Sequence, residues 1–174
     1  YDPVLGVITN SPTYYWHATN LNNYLKLSPN PAPSVSLGER TFKPFGGGSG
    51  MVGIPGDFSP PSRFVRAAAL TASARPLATA EDAVAESFRI LDSFNLPLGA
   101  VLPREGLPED IVSATQITSA SDLSNRVYSF HTQWNRRVRV IDLKAIDFAT
   151  VPLQFLEVDP ERKQDVETLR VTPG

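Results

Sequence analysis

The chain has 174 residues, with 16 Lys and Arg against 18 Asp and Glu and a net charge of −2. It is therefore long enough for one domain with a packed core, and it lacks the basic face that nucleic-acid binding requires. Cysteine is absent, which excludes disulfides, thiolate metal sites and a thiol nucleophile within these residues and leaves the redox compartment open.

No apolar run approaches the ~18 residues of a membrane span, and Tyr1-Asp2-Pro3 has neither the basic start nor the apolar core of a signal peptide. Val4 to Thr9 is a short, apolar, β-favouring run that predicts a buried strand ending at Asn10. After Ser11-Pro12, Leu21, Tyr24 and Leu25 recur at helical spacing within Tyr15 to Leu27, and Ser28-Pro29-Asn30-Pro31 stops that helix. Ser28 to Gly56 is dense in Pro, Gly and Ser, which predicts a long loop with sparse regular structure. Loops of that length are commonly functional or contact a partner. Ser59 is placed to cap a helix beginning with Pro60 and Pro61, where a missing N–H costs nothing, and running through Ala72 with Phe64, Ala67 and Ala68 as its apolar stripe. Thr79 starts the next helix with Asp82 as its capping-box partner. Val84, Phe88 and Leu91 define the buried face, and Asn95-Leu96-Pro97 ends it. The last third reads as β: Ala114 to Ser119, Arg126 to Trp134 and Arg137 to Leu143, with Asn135-Arg136 as the tight connection between the last two. Val158 to Gly174 reads as a polar, loosely held extension.

Two segments carry chemistry. Gly6 to Tyr24 drives an apolar run into Asn-Ser-Pro and then into an aromatic helix start, and Gly53 to Ala69 feeds a Gly/Pro turn into an Arg-bearing helix. Asn10, at a strand end, is where a rigid side-chain amide stabilises an oxyanion without reorganisation; an Asn before Ser-Pro also simply closes a turn. Arg63 sits in the first turn of its helix, where a cation gains nothing from the helix dipole, so it is either a surface arginine or held there by a site. Arg66, one turn along, supports it at most. Tyr14, Tyr15 and Trp16 either line an acyl pocket or join the core. His17 and His131 read as hydrogen-bonded structural histidines. The Gly46 to Gly50 run lacks the Lys-Ser or Lys-Thr of a phosphate loop, and neither His-Glu-x-x-His nor Gly-x-Ser-x-Gly occurs, so neither a metal nor another cofactor is expected. Arg136, Arg137 and Arg139 read as a solvated hairpin tip.

In content, order and separation these segments resemble the cholylglycine hydrolase and penicillin V acylase family, amidases of the N-terminal nucleophile class. The likeness extends to the helix from Thr79, the Thr115-Gln116-Ile117-Thr118-Ser119 strand, and the hairpin from Val127-Tyr128-Ser129-Phe130 to Ile141-Asp142-Leu143, so it covers nearly the whole chain. It implies an α+β fold, a four-layer αββα sandwich, of which residues 1–174 are the later portion of a single domain. It implies hydrolysis of a linear amide through an acyl-enzyme, with Asn10 as an oxyanion donor, Arg63 beside the nucleophile, and Tyr14 and Tyr15 at the substrate. Many members carry an acidic residue where this chain has Tyr15.

The family attacks with an N-terminal cysteine whose own α-amino group is the base, assisted by an arginine, an aspartate and a further asparagine. None of those four roles falls on a residue of this chain, and oxyanion stabilisation alone leaves only residual catalysis. The expectation is a C-terminal part of a longer amidase, inactive alone and completed by an upstream segment as its partner. Penicillin V, conjugated bile salts and N-acyl homoserine lactones are the implied small-molecule substrates, and the short Pro-rich excursion from Ser28 to Gly56 favours the penicillin V type. A homo-oligomer, with a tetramer among its forms, and a bacterial periplasmic rather than cytoplasmic location are further expectations. Two other readings stay open: a non-catalytic binding or structural member of the fold, and a self-contained β-rich binding domain.

Overall fold

The computed structural model describes residues 5–102 and 114–171, and the chain separates into two compact units, Tyr1–Pro76 and Leu77–Gly174. In the first unit, helix α1 spans Tyr14–Asn20, with the Thr13 hydroxyl accepting from the Trp16 amide as its N-cap. It tightens into a 3-10 turn over Leu21–Tyr24 rather than continuing to Leu27. Local asparagine contacts divert it, because Asn22 Nδ2 donates to the Thr19 carbonyl and Asn23 Nδ2 to Asn20 Oδ1. The strand expected over Val4 to Thr9 is not formed across residues 5–9, and Val4 lies outside the described residues. A strand exists only as part of a ladder, and no described segment pairs with this one.

The Pro/Gly-rich stretch is more regular than its composition predicts. Strands β1 (Val35–Leu37) and β2 (Arg40–Phe42) form an exposed antiparallel hairpin, closed by Gly38 at φ +61° in a two-residue connection. A 3-10 turn follows over Gly47–Met51. Gly50 lets two backbones touch: its carbonyl accepts from the Ser28 amide at 3.0 Å, and a Cβ there would lie 1.9 Å from the Asn30 carbonyl oxygen. Helix α2 spans Pro60–Ser73. Ser59 does not cap it through its side chain, contrary to expectation. Pro60 and Pro61 leave few amides to satisfy, and the Ser59 hydroxyl donates to Ser62 Oγ instead, at 3.2 Å. Phe64, Val65 and Ala68 are buried while Ala67 is half-buried, and Phe64, His17 and Val65 form the best-buried cluster of the unit.

In the second unit, helix α3 (Ala80–Asp92) starts as expected, with the Asp82 amide donating to Thr79 Oγ1 at 3.0 Å, and buries Phe88 with Val84 and Leu91 half-buried. Strands β3 (Ile117–Asp122), β4 (Val127–Thr132) and β5 (Arg139–Asp142) form an antiparallel meander with β4 central. Ser119 pairs with Phe130 and Tyr128 with Ile141. The first of these begins three residues later than Ala114, because Thr115 is held by Leu96: the Leu96 amide donates to Thr115 Oγ1 at 2.8 Å and the Thr115 amide to the Leu96 carbonyl at 3.2 Å. The connection from β4 to β5 is wider than Asn135-Arg136, since Thr132 Oγ1 collects the amides of Trp134 and Asn135 and bends the chain before β5.

Two expectations about polar segments are corrected. Residues 158–171 have no regular structure, yet they are tied down. Asp159 accepts from Thr132 Oγ1 and from Arg139 Nη1, both at 2.5 Å, Gln164 Oε1 accepts from the Arg136 amide at 2.9 Å, and the Arg162 guanidinium lies 5.6 Å from the Trp134 ring centre. The three arginines are not a simply solvated tip either: Arg136, Arg137 and Arg139 pair with Asp92, Asp165 and Asp159 respectively. Among the described residues no helix is long and apolar enough to cross a membrane.

Candidate active site

The two segments singled out in the sequence meet in the first unit. Asn10 lies after the irregular stretch 6–9, just before the Ser11-Pro12 peptide, which is cis. Arg63 projects from the first turn of α2, whose first i,i+4 bond is its own amide to the Ser59 carbonyl at 3.0 Å. Arg63 Nη2 donates to Asn10 Oδ1 at 2.6 Å across 53 residues of sequence, and Thr9 Oγ1 donates to the same oxygen at 3.2 Å. A guanidinium has donors only, so this contact fixes which end of the Asn10 amide faces it. The carbonyl end is engaged, and the Nδ2 end keeps its two N–H donors at an exposed position. Among the described residues no carboxylate lies within salt-bridge reach of Arg63. The site thus combines an oriented amide donor with an unneutralised cation, an arrangement suited to developing negative charge.

Helix α1 packs against α2. His17, 1% exposed, stacks on Phe64 with ring centres 4.8 Å apart. Burial pushes its pKa down, against the opposing effect of the Ser11 and Pro12 carbonyls. It is packed in the core, and among the described residues neither ring nitrogen has a partner that meets full hydrogen-bonding geometry. Tyr14 is half-buried and meets Phe64 in a T-shaped contact with ring centres 6.0 Å apart, while Tyr15 is 71% exposed and meets Tyr14 at 5.9 Å. Asn10 and Arg63 are brought together; Tyr14 packs on the Phe64 core and Tyr15 packs on Tyr14. His131, in the second unit, is buried on β4 beside Phe88, and burial followed by the Arg136 charge pushes its pKa down.

Asp57 adds a contact that the sequence analysis does not anticipate. Its Oδ1 accepts from the Ser59 amide at 2.9 Å and its Oδ2 from Ser62 Oγ at 2.5 Å, and these bonds bring its pKa down to about 2. Arg66, 6% exposed, reaches back so that Nη1 donates to the Pro55 and Asp57 carbonyls at 2.8 and 2.7 Å. The readable signal was an Asp two residues before Ser-Pro-Pro, an arrangement that favours a side-chain-closed turn.

The profile of the linear amide C-N hydrolases, choloylglycine hydrolase family, matches residues 1–156. A bile salt hydrolase/transferase of Clostridium perfringens is 36% identical over 145 residues, 82% of this chain and 42% of that protein. A conjugated bile acid hydrolase of Lactobacillus acidophilus is 41% identical over 122 residues, 70% of this chain and 38% of that protein. The crystal structure of a mutant conjugated bile acid hydrolase from Clostridium perfringens superposes with a TM-score of 0.74 at 29% identity, over 95% of this chain and 49% of that one. The fold class is α+β, that of the N-terminal nucleophile bile acid hydrolases. The chain spans less than half the length of these curated relatives. It belongs to the choloylglycine hydrolase family of linear amide C-N hydrolases.

Proposed function

We propose that the protein to which these residues contribute hydrolyses a linear amide through an acyl-enzyme, with Asn10 receiving the substrate carbonyl and Arg63 orienting Asn10. The observation that carries this reading is the 2.6 Å bond from Arg63 Nη2 to Asn10 Oδ1, which leaves the Asn10 N–H donors for the substrate. The nucleophile lies outside the 174 residues. It adds to the carbonyl carbon, the carbonyl oxygen gains the negative charge, and Asn10 Nδ2 donates to it. The C–N bond then breaks as the leaving amine takes up the nucleophile's proton through the base. Water attacks the acyl-enzyme next, releasing the carboxylic acid and restoring the nucleophile. The Arg63 charge favours the ionised nucleophile as well as the oxyanion.

Conjugated bile acids are the first substrates to test, because a relative that is 41% identical over 122 residues is a conjugated bile acid hydrolase; penicillin V is the competing acyl amide. The reading also assigns exposed apolar side chains such as Phe45, at 99%, and Phe155, at 91%, to contact with the rest of a family-length protein. Turnover of glycocholate and penicillin V by the full-length protein tests the reading. Asn10→Ala is expected to lower kcat by ~10²–10³, the usual loss for one oxyanion donor. Near-normal turnover by that variant removes Asn10 from the mechanism, and no turnover of any acyl amide by the unmodified protein favours the non-catalytic reading.

A further inference from the structure

We propose that Asp57 and Arg66 are positioning residues for the reaction, a two-ended lock that holds the first turn of α2 so that Arg63 meets Asn10. The inference rests on the reading of Asn10 and Arg63 given above and extends it to residues that do not touch substrate.

The first turn of α2 is a poor place for a cation, because the helix dipole presents its positive end there. It is also a turn with little need of a cap: Pro60 and Pro61 have no N–H, and Ser59 offers no side-chain cap bond. Asp57 nevertheless directs both carboxylate oxygens at this turn, one to the Ser59 amide and one to the Ser62 hydroxyl. Ser62 is the residue immediately before Arg63 and is itself 8% exposed. The carboxylate thus brackets the segment from which Arg63 departs, and its negative charge lies at the positive end of the helix dipole.

Arg66 closes the other end. A guanidinium that is 6% exposed is costly to desolvate, and burial pushes its pKa down. One of its nitrogens bridges the Pro55 and Asp57 carbonyls. The loop before α2 is therefore tied to the helix twice, by Asp57 reaching forward to Ser59 and Ser62 and by Arg66 reaching back one turn beyond Arg63. Both ties flank Arg63 in sequence, and neither competes for its guanidinium. Misplacing a catalytic group by ~1 Å can cost ~10²-fold in rate, so loosening either tie acts on turnover through Arg63.

The test is a double-mutant cycle in the full-length protein, with glycocholate hydrolysis and the Asn10 side-chain NH₂ resonances as readouts. Asp57→Asn is expected to lower kcat ~10-fold with KM changed less than ~2-fold, a loss that is part of the ~10² attached to such misplacement. In an Arg63→Met background the same change is expected to add no further loss, because residues acting through one another are non-additive. The Asn10 amide signals are expected to shift in Asp57→Asn and to shift no further in the double variant. Independent, multiplying losses overturn the lock while leaving Asn10 and Arg63 in place; so do unmoved Asn10 resonances. A neutral Arg63→Met overturns the Asn10–Arg63 reading itself, and the lock with it. Should Asp57→Asn be recovered unfolded, Arg66→Met carries the same cycle, with Arg66→Lys expected to restore most of the loss by donating to the two carbonyls.

Discussion

Replacing Phe64 by alanine probes the core beneath the site. Phe64 is 1% exposed, stacks on His17 at 4.8 Å, makes a T-shaped contact with Tyr14 at 6.0 Å and is the chain neighbour of Arg63. Burying a phenylalanine removes roughly 150–250 Å² from water, which at about 25 cal/mol per Å² sets an upper limit of about 4–6 kcal/mol. Measured Phe→Ala losses run at about 3–5 kcal/mol, depending on how well the site collapses. Here one wall of the resulting cavity is the His17 imidazole, whose two nitrogens have no partner in full hydrogen-bonding geometry among the described residues. Water entering the cavity gains polar contacts there, which places the expected loss near the low end, about 3 kcal/mol. Phe64→Leu, which keeps most of the volume, is expected to cost about 1–1.5 kcal/mol. Native-state hydrogen exchange at the Val65 and Ala68 amides of α2 reads the opening free energy directly. A loss below about 1 kcal/mol for alanine, or equal losses for alanine and leucine, would refute the claim that this ring holds α1 against α2.

Two further outcomes follow from close contacts. Gly50→Ala places a Cβ 1.9 Å from the Asn30 carbonyl oxygen and 2.4 Å from that of Ser28; both obstacles are backbone, so the loop must move and the Ser28–Gly50 bond is expected to break, with a loss of about 2 kcal/mol or more in thermal or urea unfolding. An unchanged midpoint would show that the 28–30 backbone yields freely. Asp159→Asn removes the charge that Arg139 and Thr132 hold. Asn tolerates the positive φ at this position, 58°, so the swap isolates the ion pair from backbone strain. Limited proteolysis within residues 158–171 is expected to accelerate. The Asp159 pKa lies below its ordinary 3.8, held down first by the Arg139 hydrogen bond. The tether is therefore complete above that value and lost as pH falls through the lowered one. Cleavage in the unmodified protein should rise only below about pH 4, and equal rates in both proteins at neutral pH would show that Asp159 does not secure the segment.

How far the sequence discloses this structure depends on how local each determinant is. The start of α3 is readable because Thr79 and Asp82 lie three residues apart, and the start of α2 because Pro60 and Pro61 tolerate no other helical position so well. The pairing of Asn10 with Arg63 spans 53 residues and left no trace in spacing or periodicity. Only likeness to a family points to it, because on local grounds Asn10 closes a turn and Arg63 is a surface arginine. Residues 5–9 fail for the opposite reason. Their apolar pattern states a preference for a sheet, but a strand takes its hydrogen bonds from a neighbour, and no described segment supplies one. The polar end of the chain misled because charge alone reads as solvation. What decides whether Asp159 is solvated or tied down is the position of Arg139 on a strand whose register the sequence placed only approximately, and one residue of slip in that register would turn Arg139 to the other face and leave the segment without its anchor.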